Sequence, residues 1–595
     1  MKNRGIFCCL LVMAILTSVP LETGQTVGRS RLVPATLDLR EHAAASINFL
    51  TRAPDSAQGM LPYFWTFIGR DCAELRHNHW DYSENPGRNL YGLIAARQIT
   101  GSLEGLEAQR AYERLIYHSI SPEYGLSSRP AYSPFMRDSG AVEVNLWDNR
   151  SVFMGLLSLY MLYGEPQVKA RLETMIDGLE RLAVRKDKYV WFENEAYFPG
   201  HVVDASKPPR VSQNSGGWIT PLVKYWQVTG SERARKMAAG LANFIVDYQY
   251  TSLKPGRKLG ISNVHGALFA VAGVIREAQA GGDPKHIAWA REMVDYASDN
   301  LASRYGWVME MEGRDWMKPE DSNSCETCAV VDMLQCYLLL AGAGYPEYWD
   351  RAERYLRNYF TAGQMIDTSW MNACHPCPDN VASSWTDVPS RVRGCFVGWG
   401  APNDLVDETA RVKDAIQNCC GPHGAWGLFL AWRRIVTVRG DTLKVNLALN
   451  KETGACRVES SLPYKGKVEA VLYRDACVLL RAPGWVDRAA VRCRVDGREV
   501  KTVWAGNYVM FAGAKNGQRV TLEYPLPVET RSEKLDGHEY RVRWKGDAVV
   551  AIDPPGKHVP ILQRPWFEKD EVPRKDEPEF RFREEIDRAL NEIDW

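Results

Sequence analysis

The chain has 595 residues, enough for two or three domains and a large hydrophobic core. Basic and acidic residues both number 73, so the formal net charge is zero, which argues against nucleic acid or an anionic membrane as the main partner. Hydrophobic residues make up 45% and charged residues 25%, as in an ordinary globular protein, and no internal apolar run approaches the roughly 20 residues that span a bilayer.

The first 25 residues have the pattern of a secretory signal. Lys2 and Arg4 precede an apolar stretch at 6–16, and a polar stretch follows at 22–25. A basic start followed by a short apolar segment is typical of signal peptides. We therefore expect export to the periplasm or the cell exterior, with no other membrane contact. An uncleaved N-terminal anchor is the alternative.

From residue 36 to 436 the hydrophobic pattern is helical and repeats. Segments with one apolar face, such as 166–184, alternate with segments that are apolar nearly all round, such as 151–163. Six such pairs are present. The outer candidates are 36–53, 104–119, 166–184, 231–249, 284–303 and 345–361, and the inner candidates begin near Gly87, Arg150, Gly217, His265, Glu326 and Gly421.

Helices that are apolar all round need neighbours on every side, which favours an (α/α)6 barrel over the alternative, a helical solenoid. A polar or aromatic loop precedes the inner helices. If these helices run the same way, the loops meet at one end of the barrel, where free N–H groups and positive dipole ends favour a polar ligand. The loops comprise residues 77–81, 147–150, 213–215, 262–263 and 322–324.

After residue 436 the apolar period changes to two, as in 443–449 and 520–524, and Asn-Gly and Asp-Gly pairs mark turns. This pattern predicts an antiparallel β-sandwich. The predicted fold class is therefore α+β multidomain, an (α/α)6 barrel followed by an antiparallel β-sandwich. The predicted domains are a signal peptide at 1–25, the barrel at 36–436, the sandwich at 437–553 and an extended charged tail with one short helix at 554–595.

Two cysteine clusters carry most of the functional argument: Cys325-Glu326-Thr327-Cys328 and the adjacent Cys419-Cys420. Vicinal cysteines rarely bridge each other without strain. Both clusters lie at predicted loop-to-helix junctions, where neighbouring side chains can reach one ion. Glu326 and three thiolates would form a tetrahedral Zn²⁺ site, with Cys325 as an alternative ligand because it completes a C-x-x-C pair. Disulfides and buried free thiols are the alternatives to a metal.

Glu326-Thr327-Cys328 at a helix start, combined with Cys419-Cys420 opening the last inner helix, resembles glycoside hydrolase family 127. This family contains β-L-arabinofuranosidase-like enzymes built from an (α/α)6 barrel and β-sandwich domains. The similarity covers roughly residues 40–555 and includes Val-His-Gly at 264–266 and Leu-Arg-Ala-Pro-Gly-Trp at 480–485.

The resemblance implies that Cys419 is a zinc-bound nucleophile and that Glu326, Cys328 and Cys420 are the other zinc ligands. A metal-bound thiol is deprotonated, and a thiolate can attack an anomeric carbon to form a covalent glycosyl intermediate. A carboxylic acid must then protonate the leaving oxygen and activate water, as in other retaining enzymes.

The resemblance also places an acid/base glutamate shortly before the Glu-Thr-Cys motif, where Glu310 and Glu312 are the candidates. Sequence spacing favours Glu310, whereas the predicted turn at Gly313 favours Glu312, to which we give a slight preference. The alternative for either residue is a solvated surface charge.

The sugar pocket transfers less well than the zinc ligands. At positions of sugar-contacting histidines on the second and third inner helices, this chain has Ser151 and Gly216 or Gly217, so His265 is the one that remains. The other predicted substrate-binding residues are His79, Trp80, Asp148, Arg150, Trp218 and His423. Cys374 and Cys377 are expected to form a structural bridge or loop clamp.

These observations predict an exported retaining glycoside hydrolase that removes arabinofuranosyl or related sugars from plant-type oligo- or polysaccharides. One alternative is a polysaccharide lyase of the same architecture, which would not need the paired cysteines. The other is a non-catalytic carbohydrate-binding protein, because a closed four-ligand zinc site favours a structural role. The sequence does not predict the oligomeric state.

Overall fold

The computed structural model describes residues 30–595, except for 69–70, 135–139, 207–212, 250–262, 313–323, 375, 377, 408–409, 411, 413, 536–537 and 579–594. The predicted signal peptide lies outside the described residues, as does most of the second half of the predicted tail. Within the described residues, none of the helices combines the length and apolar character that crossing a membrane requires.

Up to residue 435 the chain is mainly helical, and the helices coincide with the predicted outer and inner segments to within a few residues. The helices are α1 (Leu39–Arg52), α2 (Glu84–Thr100), α3 (Leu106–Ser119), α4 (Leu146–Tyr163), α5 (Pro166–Leu182), α6 (Gln213–Gly217), α7 (Ile219–Thr229), α8 (Glu232–Phe244), α9 (Val264–Gln279), α10 (Lys285–Asn300), α11 (Thr327–Gly342), α12 (Glu347–Tyr355), α13 (Val388–Val392) and α14 (Cys420–Ile435).

Highly buried and partly exposed helices alternate along the chain. α2, α4, α9, α11 and α14 are buried on nearly every side, whereas α1, α3, α5, α8 and α10 bury one face. Helix contacts lead from α2 to α4, through α6 and α7 to α9, then to α11, α14 and back to α2. We call α2, α4, α7, α9, α11 and α14 the inner helices. They form a closed ring, and α1, α3, α5, α8, α10 and α12 pack against its outside.

Glycines allow the inner helices to approach closely near their first turns. A Cβ at Gly87 would lie 2.5 Å from the Ser151 backbone of α4, and a Cβ at Gly92 would lie 2.7 Å from Pro422 of α14. Because atoms cannot approach so closely, a larger residue at either position would push the helices apart. Gly87 and Ser151 lie near the starts of α2 and α4, and the first turn of α14 meets the middle of α2 at Gly92, so these three helices begin toward the same end of the ring.

The strands are short in the helical region and longer after it. The first ten are β1 (Ser30–Pro34), β2 (Trp65–Phe67), β3 (Glu74–Arg76), β4 (Arg129–Pro130), β5 (Val142–Asn145), β6 (Ala183–Lys186), β7 (Tyr189–Phe192), β8 (Ala196–Tyr197), β9 (Ser383–Ser384) and β10 (Ala415–Gln417). The others are β11 (Val436–Arg439), β12 (Thr442–Val445), β13 (Lys451–Glu452), β14 (Cys456–Ser460), β15 (Lys467–Leu472), β16 (Ala476–Arg481), β17 (Arg492–Val495), β18 (Arg498–Val500), β19 (Trp504–Ala505), β20 (Tyr508–Ala514), β21 (Arg519–Glu523), β22 (Val528–Leu535), β23 (His538–Lys545), β24 (Ala548–Asp553) and β25 (Arg574–Pro578).

The C-terminal strands form a five-stranded sheet, β11-β12-β16-β20-β19, a six-stranded sheet, β13-β14-β15-β21-β17-β18, and a three-stranded sheet, β22-β23-β24. The predicted alternation is present in β12, where Leu443 and Val445 are buried and Lys444 is exposed. Two details differ from the prediction. β12 pairs with β16 in parallel rather than antiparallel, and the tail is not simply extended, because β25 pairs with β1 ahead of the first helix.

A four-stranded antiparallel sheet, β10-β2-β3-β9, lies within the helical region. It joins strands that are far apart in sequence, since β2 pairs with both β3 and β10. β10 ends just before the adjacent cysteines that open α14. This sheet therefore fixes where that cysteine pair enters the ring of inner helices.

Candidate active site

Glu326, Cys328, Cys419 and Cys420 come together where α11 and α14 begin. Their four ligand atoms all lie within 4.8 Å of one another, and all four residues are buried. Cys328 Sγ is 3.5 Å from Cys420 Sγ, which is 4.0 Å from Glu326 Oε1. The two remote segments are therefore adjacent in space, and the disulfide alternative does not apply to these thiols, which are free.

The donor set of this four-residue cluster fits a metal ion. Three thiols and one carboxylate are typical of a tetrahedral site, in which a metal–sulfur distance of about 2.3 Å separates the sulfurs by about 3.8 Å. The Cys328–Cys420 separation of 3.5 Å is close to that value. These side chains can therefore hold a metal ion with little rearrangement.

Asn418 positions the two adjacent thiols. Its backbone N–H donates to Phe64 O at 2.7 Å, and its side-chain Nδ2 donates to Tyr63 O at 2.8 Å. Its Oδ1 accepts a hydrogen bond from Thr66 Oγ1, also at 2.8 Å. Because these bonds satisfy most of the buried polar groups of Asn418, the turn from β10 into α14 has one favoured conformation, and the thiols that follow it are fixed.

Cys325 fixes the backbone next to Glu326 and Cys328, but its own thiol is not part of the four-residue cluster. The backbone of Cys325 pairs with Gly400, donating at 2.8 Å and accepting at 3.0 Å. Its thiol accepts from the Val308 N–H at 3.4 Å and is absent from the four-residue cluster. Of the two thiols in the C-x-x-C pair, Cys328 is the one that faces Glu326.

The four side chains differ in how readily they lose a proton. Hydrogen bonds from the Cys328 and Cys420 thiols hold the pKa of Cys419 well below its usual value, and the positive charge of Arg88 acts in the same direction. Burial raises the pKa of Cys328 and of Cys420 well above the usual value. Burial, followed by the negative charge of Cys419, also raises the pKa of Glu326. Cys419 is therefore the group most readily present as an anion.

Arg88 of α2 connects the thiols to a second buried polar group. Its Nη1 donates to Cys328 Sγ at 3.5 Å, and its Nε donates to Glu84 Oε1 at 2.7 Å. Its Nη2 lies 3.3 Å from His265 Nε2. The guanidinium thus places a fixed positive charge beside the thiols and orients the histidine next to them.

Asp332 holds two histidines of the inner ring. It bonds to Nδ1 of His265 and lies 3.0 Å from Nε2 of His423, whose Nδ1 lies 3.0 Å from the Tyr91 hydroxyl. Burial lowers the pKa of both histidines well below its usual value, so both are neutral near pH 7. Each neutral ring donates its N–H to the shared carboxylate, which fixes the tautomer. His265 Nε2 is then an acceptor facing Arg88.

Two further predicted residues, His79 and Trp80, lie half-buried in the 3₁₀ turn His79–Tyr82 ahead of α2. Their rings are in contact, with centroids 4.2 Å apart. The Trp80 ring also packs on Phe64, whose carbonyl fixes Asn418. These aromatic side chains are therefore close to the turn that carries the adjacent thiols.

Residues 147–150 form the first turn of α4 rather than a loop, because the Asn145 side chain accepts from the N–H groups of Trp147 and Asp148 and caps the helix. Asp148 is buried, and Arg129 Nε lies 2.9 Å from its carboxylate. Burial raises the pKa of Asp148 to about 7. Arg150 follows Asp148 by two residues in α4, and its guanidinium lies between aromatic rings.

Trp218 was predicted to line the pocket and instead lies in the hydrophobic core. Its side chain is fully buried, and its Nε1 donates to Leu146 O at 3.1 Å. Its ring contacts that of Phe153 in α4, with centroids 5.6 Å apart. Because the one polar atom of the ring is satisfied by backbone, Trp218 supports helix packing and offers nothing to a ligand.

Both acid/base candidates are buried, which contradicts the alternative of a solvated surface charge. Glu310 acts electrostatically on Glu326 and contributes to its raised pKa. Glu312 Oε1 accepts from the Tyr296 hydroxyl of the outer helix α10 at 2.5 Å. Glu310 is therefore the candidate that interacts with the four-residue cluster.

Cys374 forms a disulfide with Cys72, which lies between β2 and β3. The expected bridge involving Cys374 is thus present, but its partner is not Cys377, which lies outside the described residues. The reason is topological, since β2 and β3 bring Cys72 beside the segment after α12. Cα atoms 5.4 Å apart permit this bond.

Sequence reasoning missed Glu84, Arg88, Tyr91 and Asp332. Periodicity contained a usable signal for Asp332, which follows Cys328 by four positions and therefore shares its helix face, as His423 does with Cys419. Asp332 is also the single charged residue in the apolar sequence of α11. A lone charge in a fully buried helix needs a partner, and that need points to the histidines.

A cavity of 1360 Å³ lies at the opposite, C-terminal end of the inner helices, between them and the C-terminal sheets. Among the described residues, no acidic side chain lines it. Its basic residues are Lys224, Arg276, Arg433, Arg434, Arg439, Lys444 and Lys451. Arg276 and Arg434 lie in the last turns of α9 and α14, where cations stabilise helix C-termini.

No family model matches the chain, and no curated protein matches it in sequence. Solved structures match it in fold. A GH127 β-L-arabinofuranosidase from Geobacillus stearothermophilus T6 matches with a TM-score of 0.55 and 14% identity, over 85% of this chain and 80% of that chain. The GH127 β-arabinofuranosidase BT3674 matches with a TM-score of 0.55 and 15% identity, over 86% and 80%. A structure named as a glycoside hydrolase matches with a TM-score of 0.54 and 13% identity, over 84% and 85%. The predicted resemblance to glycoside hydrolase family 127 is therefore confirmed at the level of the fold.

Proposed function

We propose that the protein is a retaining glycoside hydrolase whose nucleophile is the thiolate of Cys419. The observation that carries the proposal is the buried four-residue cluster, in which Cys419 is the least buried of the three thiols and therefore the one that a substrate can reach most easily. The likeness in fold to two GH127 β-arabinofuranosidases supports it. We also infer that the ring of inner helices with its outer layer is an (α/α)6 barrel, and that the five- and six-stranded sheets form a β-sandwich.

The metal in this proposal is zinc, held by Glu326, Cys328, Cys419 and Cys420. When bound, zinc keeps its thiol ligands deprotonated and shields their negative charge. The chain contributes the positive charge of Arg88, which donates a hydrogen bond to Cys328 Sγ. It also contributes the fixed backbone on both sides of the cluster, which limits the movement of each thiol.

The reaction then needs a thiolate and one carboxylic acid. Cys419 Sγ attacks the anomeric carbon, a C–S bond forms, and the C–O bond to the leaving group breaks. Glu310 gives its proton to the leaving oxygen, then takes a proton from water as that water attacks the anomeric carbon and releases the thiolate. We propose Glu310 rather than Glu312 for this role because Glu310 acts on Glu326, whereas Glu312 bonds to Tyr296 of an outer helix.

The proposed substrate is an oligo- or polysaccharide of plant type that ends in an arabinofuranosyl or related sugar. His265 and His423 lie beside the thiols, and their ring nitrogens are engaged by Arg88, Asp332 and Tyr91, so they support the site by holding these groups in place. His79 and Trp80 add aromatic surface near the same end, and such surface packs well against sugar C–H groups.

We also propose export, for which the signal-like residues 1–25 are the main support. The Cys72–Cys374 disulfide adds to it, because disulfides form and persist chiefly in oxidising compartments.

A panel of nitrophenyl glycosides that includes L-arabinofuranosides tests the proposal, with metal analysis of the same sample. We expect turnover, about one zinc per chain, and a first sugar product that retains the anomeric configuration by NMR. Release of an unsaturated uronic acid, seen by ultraviolet absorbance, would indicate a lyase instead. Bound zinc without turnover on any glycoside would indicate a carbohydrate-binding protein.

A further inference from the structure

Arg150 is a buried arginine in the first turn of α4, with 1% of its surface exposed. Its guanidinium carbon lies 3.7 Å from the centre of the Trp147 ring and 4.4 Å from the centre of the Phe269 ring. Gly217 packs beside this stack, where a Cβ would lie 3.4 Å from both Arg150 and Trp147. The side chain is thus held between two aromatic rings inside the protein.

Among the described residues, this guanidinium forms no ion pair with an acidic side chain, whereas buried arginines are normally paired. Its hydrogen bond within the described part of the chain is from Nη2 to Ser151 Oγ at 3.3 Å, and its Nε and Nη1 have no partner there. By contrast, Arg88 bonds to Glu84, and Arg129 pairs with Asp148. Buried N–H groups without acceptors cost free energy, so an acceptor that a ligand brings to this site would stabilise Arg150.

Arg150 lies beside the groups proposed to act on the sugar. The Trp147 ring meets the His265 ring edge-on, with centroids 5.1 Å apart, and the Phe269 ring lies 6.2 Å from that of His423. Two nearby carboxylates, Glu84 and Asp332, influence Arg150 electrostatically.

Among the described residues, the two carboxylates that act on Arg150 already accept hydrogen bonds from other groups. Asp332 accepts from His265 and His423, and Glu84 accepts from Arg88. A sugar hydroxyl would satisfy one N–H group of Arg150 but would add no negative charge beside it. A carboxylate satisfies the N–H groups and the charge together, and guanidinium–carboxylate pairs are among the strongest charge-assisted hydrogen bonds.

We propose that the sugar bound at this site carries a carboxylate, which Arg150 binds. The substrate is then a glycoside of a uronic acid or of another acidic sugar. This inference rests on the proposed function and narrows it, since it selects an acidic sugar over a neutral one. Trp147 and Phe269 hold the guanidinium in place, so specificity for the charge depends on Arg150.

Isothermal titration calorimetry of the full chain tests the inference with sugar pairs that differ only in the carboxylate. The pairs are galacturonic acid with galactose and glucuronic acid with glucose, extended to pentofuranosides with and without a carboxyl group. We expect at least one acidic sugar to bind at least about 10-fold more tightly than its neutral counterpart, the effect of one charge-assisted hydrogen bond. Arg150→Gln and Arg150→Met should abolish that preference.

The matched control is Lys444→Gln, which removes a cation at the opposite end of the ring and should leave the preference unchanged. Thermal unfolding of each variant separates loss of binding from loss of folding, and removal of an unpaired buried charge should not lower the Tm of the Arg150 variants. Equal binding of acidic and neutral sugars, binding of no acidic sugar, or a preference that survives in both Arg150 variants would overturn the inference.

The same panel keeps this inference apart from the proposed function. Turnover of neutral glycosides alone would refute the inferred carboxylate specificity and support the proposed hydrolase activity. Tight, Arg150-dependent binding of an acidic sugar without turnover of its nitrophenyl glycoside would support the carboxylate-binding site and refute the proposed hydrolase activity.

Discussion

The two ends of the ring of inner helices differ in chemistry. At the N-terminal end, thiols, carboxylates, neutral histidines and arginines are buried together, and most have a defined partner. At the C-terminal end, a cavity of 1360 Å³ is lined by lysines and arginines, with no acidic side chain among the described residues that line it. Cations are expected at helix C-termini whatever the function, because they offset the helix dipole. A candidate site is therefore identified better by different kinds of polar side chain that come together with defined partners than by charge or by cavity size.

The largest expected effect comes from the nucleophile. Cys419→Ser should reduce turnover by at least about 10⁴-fold, as removal of a covalent catalyst does in other hydrolases. Initial rates on the best nitrophenyl glycoside measure this, and metal content and Tm show whether the cluster survives. Cys336→Ser is the matched control, because Cys336 is also a buried free thiol but donates to Leu268 O outside the cluster. Similar rates for the two variants would contradict the role of Cys419.

The acid/base should come next. Glu310→Gln should slow turnover by about 10²- to 10⁴-fold, the usual contribution of a general acid. The loss should be smaller on substrates with good leaving groups, which need less protonation, and that dependence is the diagnostic measurement. Glu312→Gln should have a much weaker effect, because Glu312 bonds to Tyr296. A larger loss of turnover in Glu312→Gln than in Glu310→Gln would identify Glu312, the residue slightly preferred from sequence, as the acid/base.

Asp332 is expected to act as a positioning residue. Asp332→Asn replaces an acceptor for two histidine N–H groups with a side chain that can accept from one of them at best. We expect turnover to fall by about 10-fold and the free energy of unfolding to fall by about 1–3 kcal/mol, the cost of an unsatisfied buried donor. The pH profile of kcat/KM should also change, because one histidine loses the partner that fixes its tautomer. Restoration of the wild-type profile by Asp332→Glu would support positioning. An unchanged profile in Asp332→Asn would refute it.

Asp148 should make stability depend on pH. Burial raises the pKa of Asp148 from 3.8 to about 7 in the folded protein, so the folded protein binds this proton more tightly than the unfolded chain does. The resulting stabilisation is present below about pH 3.8 and is lost as the pH rises through about 7. Relative to Asp148→Asn, the wild type should lose about 1.4 kcal/mol per pH unit across this window. Parallel curves of urea-derived unfolding free energy for the two proteins would rule this out.

The smallest effect is expected at the other end of the ring. Lys444→Gln alters an exposed side chain of the basic cavity and should change the free energy of unfolding by less than about 0.5 kcal/mol. Turnover should be indistinguishable from wild type, measured on the same glycoside as the other variants. A loss of activity comparable to that of Asp332→Asn would show that the two ends are coupled.

Much of the helical architecture could be predicted from sequence because it follows from periodicity. Helices such as α11 are apolar on every side, and a helix of this kind is stable only when other elements surround it. The Glu-Thr-Cys and Cys-Cys motifs similarly identified the four-residue cluster. Both signals come from residues that are close together in sequence, and each signal is compatible with very few arrangements in three dimensions.

The side-chain network was not predictable in the same way. No motif singles out Arg88 or Glu84 in the sequence, yet both are buried near thiols and histidines. Trp218 looked like pocket lining but packs on Phe153. Which face of an inner helix points into the ring depends on small rotations set by contacts such as that between Gly87 and Ser151, and sequence periodicity does not define such rotations closely enough.

The Cys72–Cys374 disulfide has a practical consequence for anyone who purifies this protein. One cysteine pair must be oxidised while the four-residue cluster needs its thiols reduced, and both conditions have to hold in one molecule. Burial can separate them, since Cys419 is 4% exposed and Cys328 and Cys420 are fully buried. A mild oxidant added to the folded protein should therefore close the Cys72–Cys374 bond first and leave the buried thiols available for metal loading, whereas strong reductants added for storage would open that bond.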